Sequence, residues 1–129
     1  EEHFRLLIEN ASDLIRVVNH QGVIRYESPS VSRTLGYSPE EMIGRSAFDY
    51  IHPDDAAPTA AAIQRAMKVA GTPVPAEYRF RHQNGQWRVL QSVGRSAPGH
   101  AEEGFIVVNS RDITENRQLE EQFRQSQNR

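Results

Sequence analysis

The stretch VPAEYRFRHQNGQWRVLQSVGRS (residues 74–96) constrains this chain more than any other. Two runs of strictly alternating residues flank Asn84-Gly85, a pair that readily takes the positive backbone angles of a tight hairpin turn. Ala76, Tyr78 and Phe80 share one side, with Glu77, Arg79 and Arg81 opposite. After the turn, Trp87, Val89 and Gln91 alternate with Arg88, Leu90 and Ser92. A long hairpin with one apolar face needs further strands beside it and a layer over it.

The rest of the chain supplies both. SDLIRVVNHQGVIRYES (12–28) is a second pair of strands, with Ile15 and Val17 on one face and Ile24 and Tyr26 matching them across the turn Asn19–Gly22. FIVVNSRD (105–112) is a fifth strand after the loop APGHAEEG (97–104). HFRLLIENA places Phe4, Leu7, Ile8 and Ala11 on one face of an amphipathic helix. SPSVSRTLGYSPEEMIGRS (28–46) holds two short helices. Gly36 stops the first, and Ser38, Pro39 and Glu41 start the second by capping. A longer helix follows HPDD (52–55), with Asp55 as the favoured N-cap, because Pro58 is tolerated only near a helix start, and Thr59 as the alternative. Ala56, Ala60, Ile63, Met67 and Ala70 form its apolar stripe. The expected class is α+β, one antiparallel five-stranded sheet with helices on one face, flanked by N- and C-terminal helices. The expected units are a flanking helix over 1–12, a core over 13–112 and an output helix over 113–129.

At 129 residues the chain has room for one substantial core. A net charge of −2 gives no general attraction to nucleic acid or anionic lipid. The absence of cysteine excludes disulfides, zinc–thiolate sites and cysteine nucleophiles. No apolar run is long enough to span a membrane. Glycine-rich phosphate loops, a Gly-x-Ser-x-Gly elbow and a His-Glu-x-x-His pair are all absent, so catalysis is not expected of this chain. Its ends read as interruptions of helices, and the chain as a piece of a longer polypeptide.

Several pieces in order resemble a PAS domain: FRLLIENASDLI, GVIRYESPSVSRTLGYSPEEMIGRS, IHPDD, the 78–94 hairpin and Asp112-Ile113-Thr114. Ser28 stands before Pro29 where that family commonly has asparagine. The resemblance implies a sensory or interaction module with a pocket between sheet and longest helix. It also implies that terminal helices carry the signal to an effector. The tail NRQLEEQFRQSQNR (116–129) resembles the linker into the dimerisation and phosphoacceptor helices of bacterial sensor histidine kinases. The expectation is therefore a cytoplasmic sensory module, whether or not its parent is attached to a membrane. It would form a homodimer through the flanking helices and feed a kinase domain of the same polypeptide in a two-component phosphorelay. Control of a cyclic-di-nucleotide synthase or hydrolase is one alternative, and a ligand-free dimerisation module another.

Within that frame the candidate pocket lining is Ile15, Val17, Ile24, Tyr26, Ile63, Met67, Tyr78, Phe80, Val89, Ile106 and Val108, which could equally be plain core. Asp112, Ile113 and Thr114 are the signal-coupling candidates, with Glu77 or Arg79 meeting them across the sheet. No cofactor is expected. The long helix has no histidine to ligate haem, and no cysteine is present to form a flavin adduct. His52 reads as a residue before a helix cap rather than as a metal ligand, since no second histidine lies at helical spacing. Trp87 is either an anchor for a flanking helix or partner, or ordinary core.

Overall fold

The computed structural model describes residues 13–69, 71–96 and 104–127. The expected helix over 1–12 and most of the loop over 97–104 lie outside the described residues. Strands β1 (Leu14–Val18), β2 (Ile24–Glu27), β3 (Val74–Arg81), β4 (Trp87–Ser96) and β5 (Ile106–Asp112) form one antiparallel sheet in the order β2-β1-β5-β4-β3. Between β2 and β3 come α1 (Val31–Leu35), α2 (Pro39–Met42), a 3-10 turn (Ala47–Asp49) and α3 (Pro53–Lys68). Helix α4 (Thr114–Gln127) follows β5. The five-stranded α+β architecture is the expected one.

Local chemistry sets the joints. Gly36 closes α1 at φ 84°, where a Cβ would lie 3.0 Å from Gln83 Cβ and His82 Cε1. Ser38 and Glu41 form a reciprocal capping box on α2. Both sheet edges are covered by the intervening chain. Ile24 N–H donates to Arg45 O at 2.8 Å, and on the far edge His52 N–H donates to Arg79 O at 2.9 Å.

Helix α3 begins earlier than its proline suggested. His52 is the N-cap, its Nδ1 accepting from the Asp54 amide at 3.1 Å, and Pro53 takes the first helical position. Pro58 therefore lies inside the helix, where it withholds the amide that Asp54 O would accept. That carbonyl is on the exposed first turn, where water can satisfy it. Asp55, released from capping, accepts from the Arg79 amide at 2.8 Å and from its guanidinium at 2.9 and 3.0 Å. The buried stripe of α3 is also rotated from the expected one and runs through Thr59, Ala62 and Ala66. These small side chains let the helix approach the sheet without filling the space beneath it.

The core sits between α3, the short helices and the inner sheet face. Leu14, Ile24, Val31, Leu35, Met42, Phe80, Leu90 and Ile106 are all fully buried there. Each such side chain contributes about 1.5–3 kcal/mol on burial. Strand β1 runs in the phase opposite to the expected one. Leu14, Arg16 and Val18 point inward, while Ile15 and Val17 lie on the outer face. LIRVV is apolar in both phases, and its single charge points to the wrong one, because Arg16 enters the core with a partner. Strand β2 carries a bulge: Val18 pairs with Ile24, Val17 with Tyr26 and Arg16 with Glu27. Arg25 is the extra residue, so Ile24 and Glu27 share the inner face while Tyr26 joins the outer one.

Candidate functional site

A cavity of about 50 Å³ lies between α3 and the sheet. Of the residues proposed to line it, Ile63, Tyr78, Ile106 and Val108 do so. Ile24 and Phe80 are core residues beyond its wall, and Met67 packs against that core. Ile15, Val17, Tyr26 and Val89 are on the opposite face of the sheet, for the register reasons given above and because Val89 alternates with buried Leu90. The sequence reading missed Arg16, Ala62, Ala66, Ser92 and Gly94. The small residues at i, i+3 and i+7 from Thr59 were the available signal. A Cβ on Gly94 would come within 3.3 Å of Ile106 Cγ2, so glycine at this point helps keep the cavity open.

The wall carries a few buried polar groups. Arg16 is paired with Glu27, its Nε and Nη2 directed at the two carboxylate oxygens, and its guanidinium carbon lies 4.6 Å from the centre of the Phe80 ring. Burial pulls the Arg16 guanidinium toward neutrality, but Glu27, Tyr78 and Tyr50 outweigh it and keep it charged. Burial pushes the Glu27 carboxyl above the usual range, against the pull of Arg16. Beside them runs a chain of hydroxyls across three strands. Ser92 Oγ donates to the Tyr78 hydroxyl at 2.9 Å and lies 2.7 Å from Ser110 Oγ. A serine has one proton to give, so Ser110 is the donor in the second bond.

A second constellation joins β4, the end of β5 and the first turn of α4. The Ile113 amide donates to Val89 O at 2.9 Å, and the Val89 amide donates to Thr114 Oγ1 at 2.8 Å. The Thr114 hydroxyl and amide donate to Asp112 Oδ1 at 2.6 and 2.9 Å. Arg88 Nε donates to Asp112 Oδ2 at 2.8 Å, and its Nη2 reaches Glu115 at 3.1 Å. Burial is the largest influence on Asp112 and pushes its carboxyl up. The Thr114 hydroxyl, Arg88 and the Thr114 amide together outweigh burial and hold it below the usual range. Ile113 is buried. Further along α4, Arg117 pairs with Glu77 on β3. Arg79, expected to meet this junction, is instead held by Asp55 at the start of α3. The residue that reaches the junction is Arg88, one strand over.

Beyond this anchor α4 is exposed, Leu119 and Phe123 included. Trp87 is exposed, its ring centre 4.7 Å from that of His52. No cluster able to hold a metal ion occurs among the described residues, and none of their helices is long and apolar enough to cross a membrane.

A match to the family described as PAS fold covers residues 24–108. Over 90 residues the chain is 33% identical to the white collar 2 protein of Neurospora crassa, covering 70% of this chain but 17% of that protein. It thus spans under a fifth of that relative's length. Among solved structures, a sensory box histidine kinase/response regulator from Burkholderia thailandensis superposes with a TM-score of 0.72 at 28% identity, covering 98% of this chain and 95% of the other. The PAS domain of an HTR-like protein from Haloarcula marismortui also gives a TM-score of 0.72, at 22% identity, covering 87% and 90% of the two chains.

Proposed function

This chain belongs to the PAS family, and from that premise we propose that it is the cytoplasmic sensory module of a larger signalling protein, a sensor histidine kinase of the two-component type. Occupancy of the cavity shifts the sheet between two arrangements. The Asp112–Thr114 junction passes that shift to α4, which acts within a homodimer on a downstream kinase domain. The observation that carries this reading is the junction itself. Asp112, Thr114 and Arg88 fasten the first turn of α4 to β4, the strand that also gives Ser92 and Gly94 to the cavity wall. A change in strand position at the cavity therefore has a short covalent and hydrogen-bonded route to the helix.

The kinase assignment draws support from the likeness to the sensory box histidine kinase/response regulator from Burkholderia thailandensis. Light sensing through a cysteinyl–flavin adduct is not proposed, since the chain contains no cysteine. The experiment is Asp112→Ala in the full-length protein. Regulated output is expected to be lost while the domain stays folded by circular dichroism. Normal regulation in that variant would sink the coupling role. A second reading, a docking and dimerisation module without a ligand, draws on the small size of the cavity, about 50 Å³.

A further inference from the structure

The cavity wall restricts what could occupy it more sharply than its size alone does. The class of occupant rests on the sensory role proposed above and narrows it chemically. At about 50 Å³ the cavity exceeds the space one water needs, about 10–15 Å³, and falls short of the roughly 150 Å³ that admits benzene. That range corresponds to about three to five non-hydrogen atoms. Most of the wall is apolar: Val18, Ala62, Ile63, Ala66, Ile106 and Val108.

The polar part of the wall has a definite sense. Arg16, Tyr78 and Ser92 are each more than nine-tenths buried and line the cavity. Arg16 and Glu27 already cancel one another. A carboxylate placed beside them would add a buried charge with no partner, and an ammonium would face the guanidinium. The Ser92 proton is committed to the Tyr78 oxygen, which leaves the phenolic proton itself without an acceptor among the described residues. A guanidinium has five N–H donors, and Glu27 engages those on one edge. Around Arg16 and Tyr78 the wall therefore offers donors and is electrically balanced, while Thr59, whose hydroxyl donates to Asp55 O at 2.7 Å, has only lone pairs to offer.

We infer that the cavity takes a small uncharged molecule bearing one hydrogen-bond acceptor, such as a short-chain ketone, aldehyde or alcohol, with its oxygen held by the Tyr78 hydroxyl and its alkyl part against the α3 alanines. Tyr78 is then the group that distinguishes an acceptor from a hydrocarbon. The intact Arg16–Glu27 pair is what rejects anions.

The test uses acetone, acetate and dissolved xenon as probes. Acetone and acetate have the same number of heavy atoms and differ in charge, while xenon tests the apolar space alone. A ligand this small binds no tighter than about 10–100 µM, so titrations run to about 50 mM. They are followed by the methyl NMR signals of Ala62, Ala66, Ile63 and Val108. Acetone and xenon are expected to shift these signals saturably and acetate to leave them unmoved. Tyr78→Phe is expected to weaken acetone about tenfold and leave xenon unaffected. Binding of acetate as well as acetone would overturn the charge argument. Binding of xenon without acetone would overturn the acceptor class, and unchanged acetone affinity in Tyr78→Phe would overturn the role of that hydroxyl. Failure of all three probes would instead count against the sensory cavity itself. The comparison of acetone with acetate needs no variant, so it stands even if Tyr78→Phe folds poorly.

Discussion

Two arginine–carboxylate pairs lie on the same face of this sheet, and they do different physical work. Arg16 and Glu27 are inside the core, with side chains 3% and 0% exposed, and fasten two adjacent strands beside the cavity. Arg88 and Asp112 are at the sheet's end, with side chains 24% and 14% exposed, and fasten the root of α4. In the first pair each charge depends almost wholly on the other, because water is excluded. In the second, Asp112 also has the Thr114 hydroxyl and amide, and Arg88 also has Glu115. Burial therefore makes either member of the first pair costly to remove alone. Partial exposure and additional partners leave neither member of the second wholly dependent on the other.

The sharpest way to break that comparison is to remove one member of each pair. Arg16→Met leaves Glu27 buried without its cation and is expected to cost about 3–5 kcal/mol in urea unfolding, a loss a small domain barely survives. Replacing both, as Arg16→Met with Glu27→Leu, is expected to recover most of that stability, since an apolar pair of similar volume avoids the desolvation cost. If the double variant is no better than the single, the pair is held by something other than mutual compensation. Asp112→Ala is expected to cost less, about 1–3 kcal/mol, and to raise amide exchange in residues 114–127 ahead of the sheet.

The two carboxylates should also oppose one another in pH. Asp112 is held below its unfolded value of about 3.9, so its contribution is complete above that pH and fades as pH falls through the lower folded value. Glu27 is raised above its unfolded value of about 4.3, so the fold binds the proton more tightly than the unfolded chain does. Its contribution is greatest in acid and declines as pH rises through the folded value. Stability measured against pH for Glu27→Gln and Asp112→Asn, each subtracted from wild type, should therefore slope in opposite directions. The smallest effect is expected at Glu77 and Arg117. Glu77→Ala should leave the melting temperature unchanged at physiological salt, because both partners are largely solvated.

The β3–β4 hairpin was legible because its alternation is strict, although its turn is wider than a tight Asn84-Gly85 pair: it spans residues 82–86, with Gly85 but not Asn84 at positive φ and the His82 amide donating to Gln86 O at 2.7 Å. Helix α2 was legible because Ser38, Pro39 and Glu41 are all capping residues with a local mechanism. The Asp112-Ile113-Thr114 tripeptide was legible by resemblance and as a helix start, but its partner, Arg88, only as one of several charged residues of the β3–β4 hairpin. Nothing local separates Arg88 from Arg79 until the strands are in register. Ile15, Val17 and Tyr26, three of the eleven expected lining residues, were placed on the wrong face for the same kind of reason. Leu14-Ile-Arg-Val-Val18 permits either face inward, and a bulge at Arg25 breaks the alternation that would have linked Ile24 to Tyr26.

Among the described residues the sequence by itself determined the five strands, the α-helices and their order, because caps, turns and periodic apolar residues act over a few residues of chain. Only the tertiary structure decided which side of β1 faces the core, that a charged pair lies within it, where the α3 stripe points and which arginine meets Asp112. Each of those choices depends on groups far apart in sequence satisfying one another once water is gone. Arg16 cannot be read as an inward residue until Glu27, eleven positions away, is brought beside it.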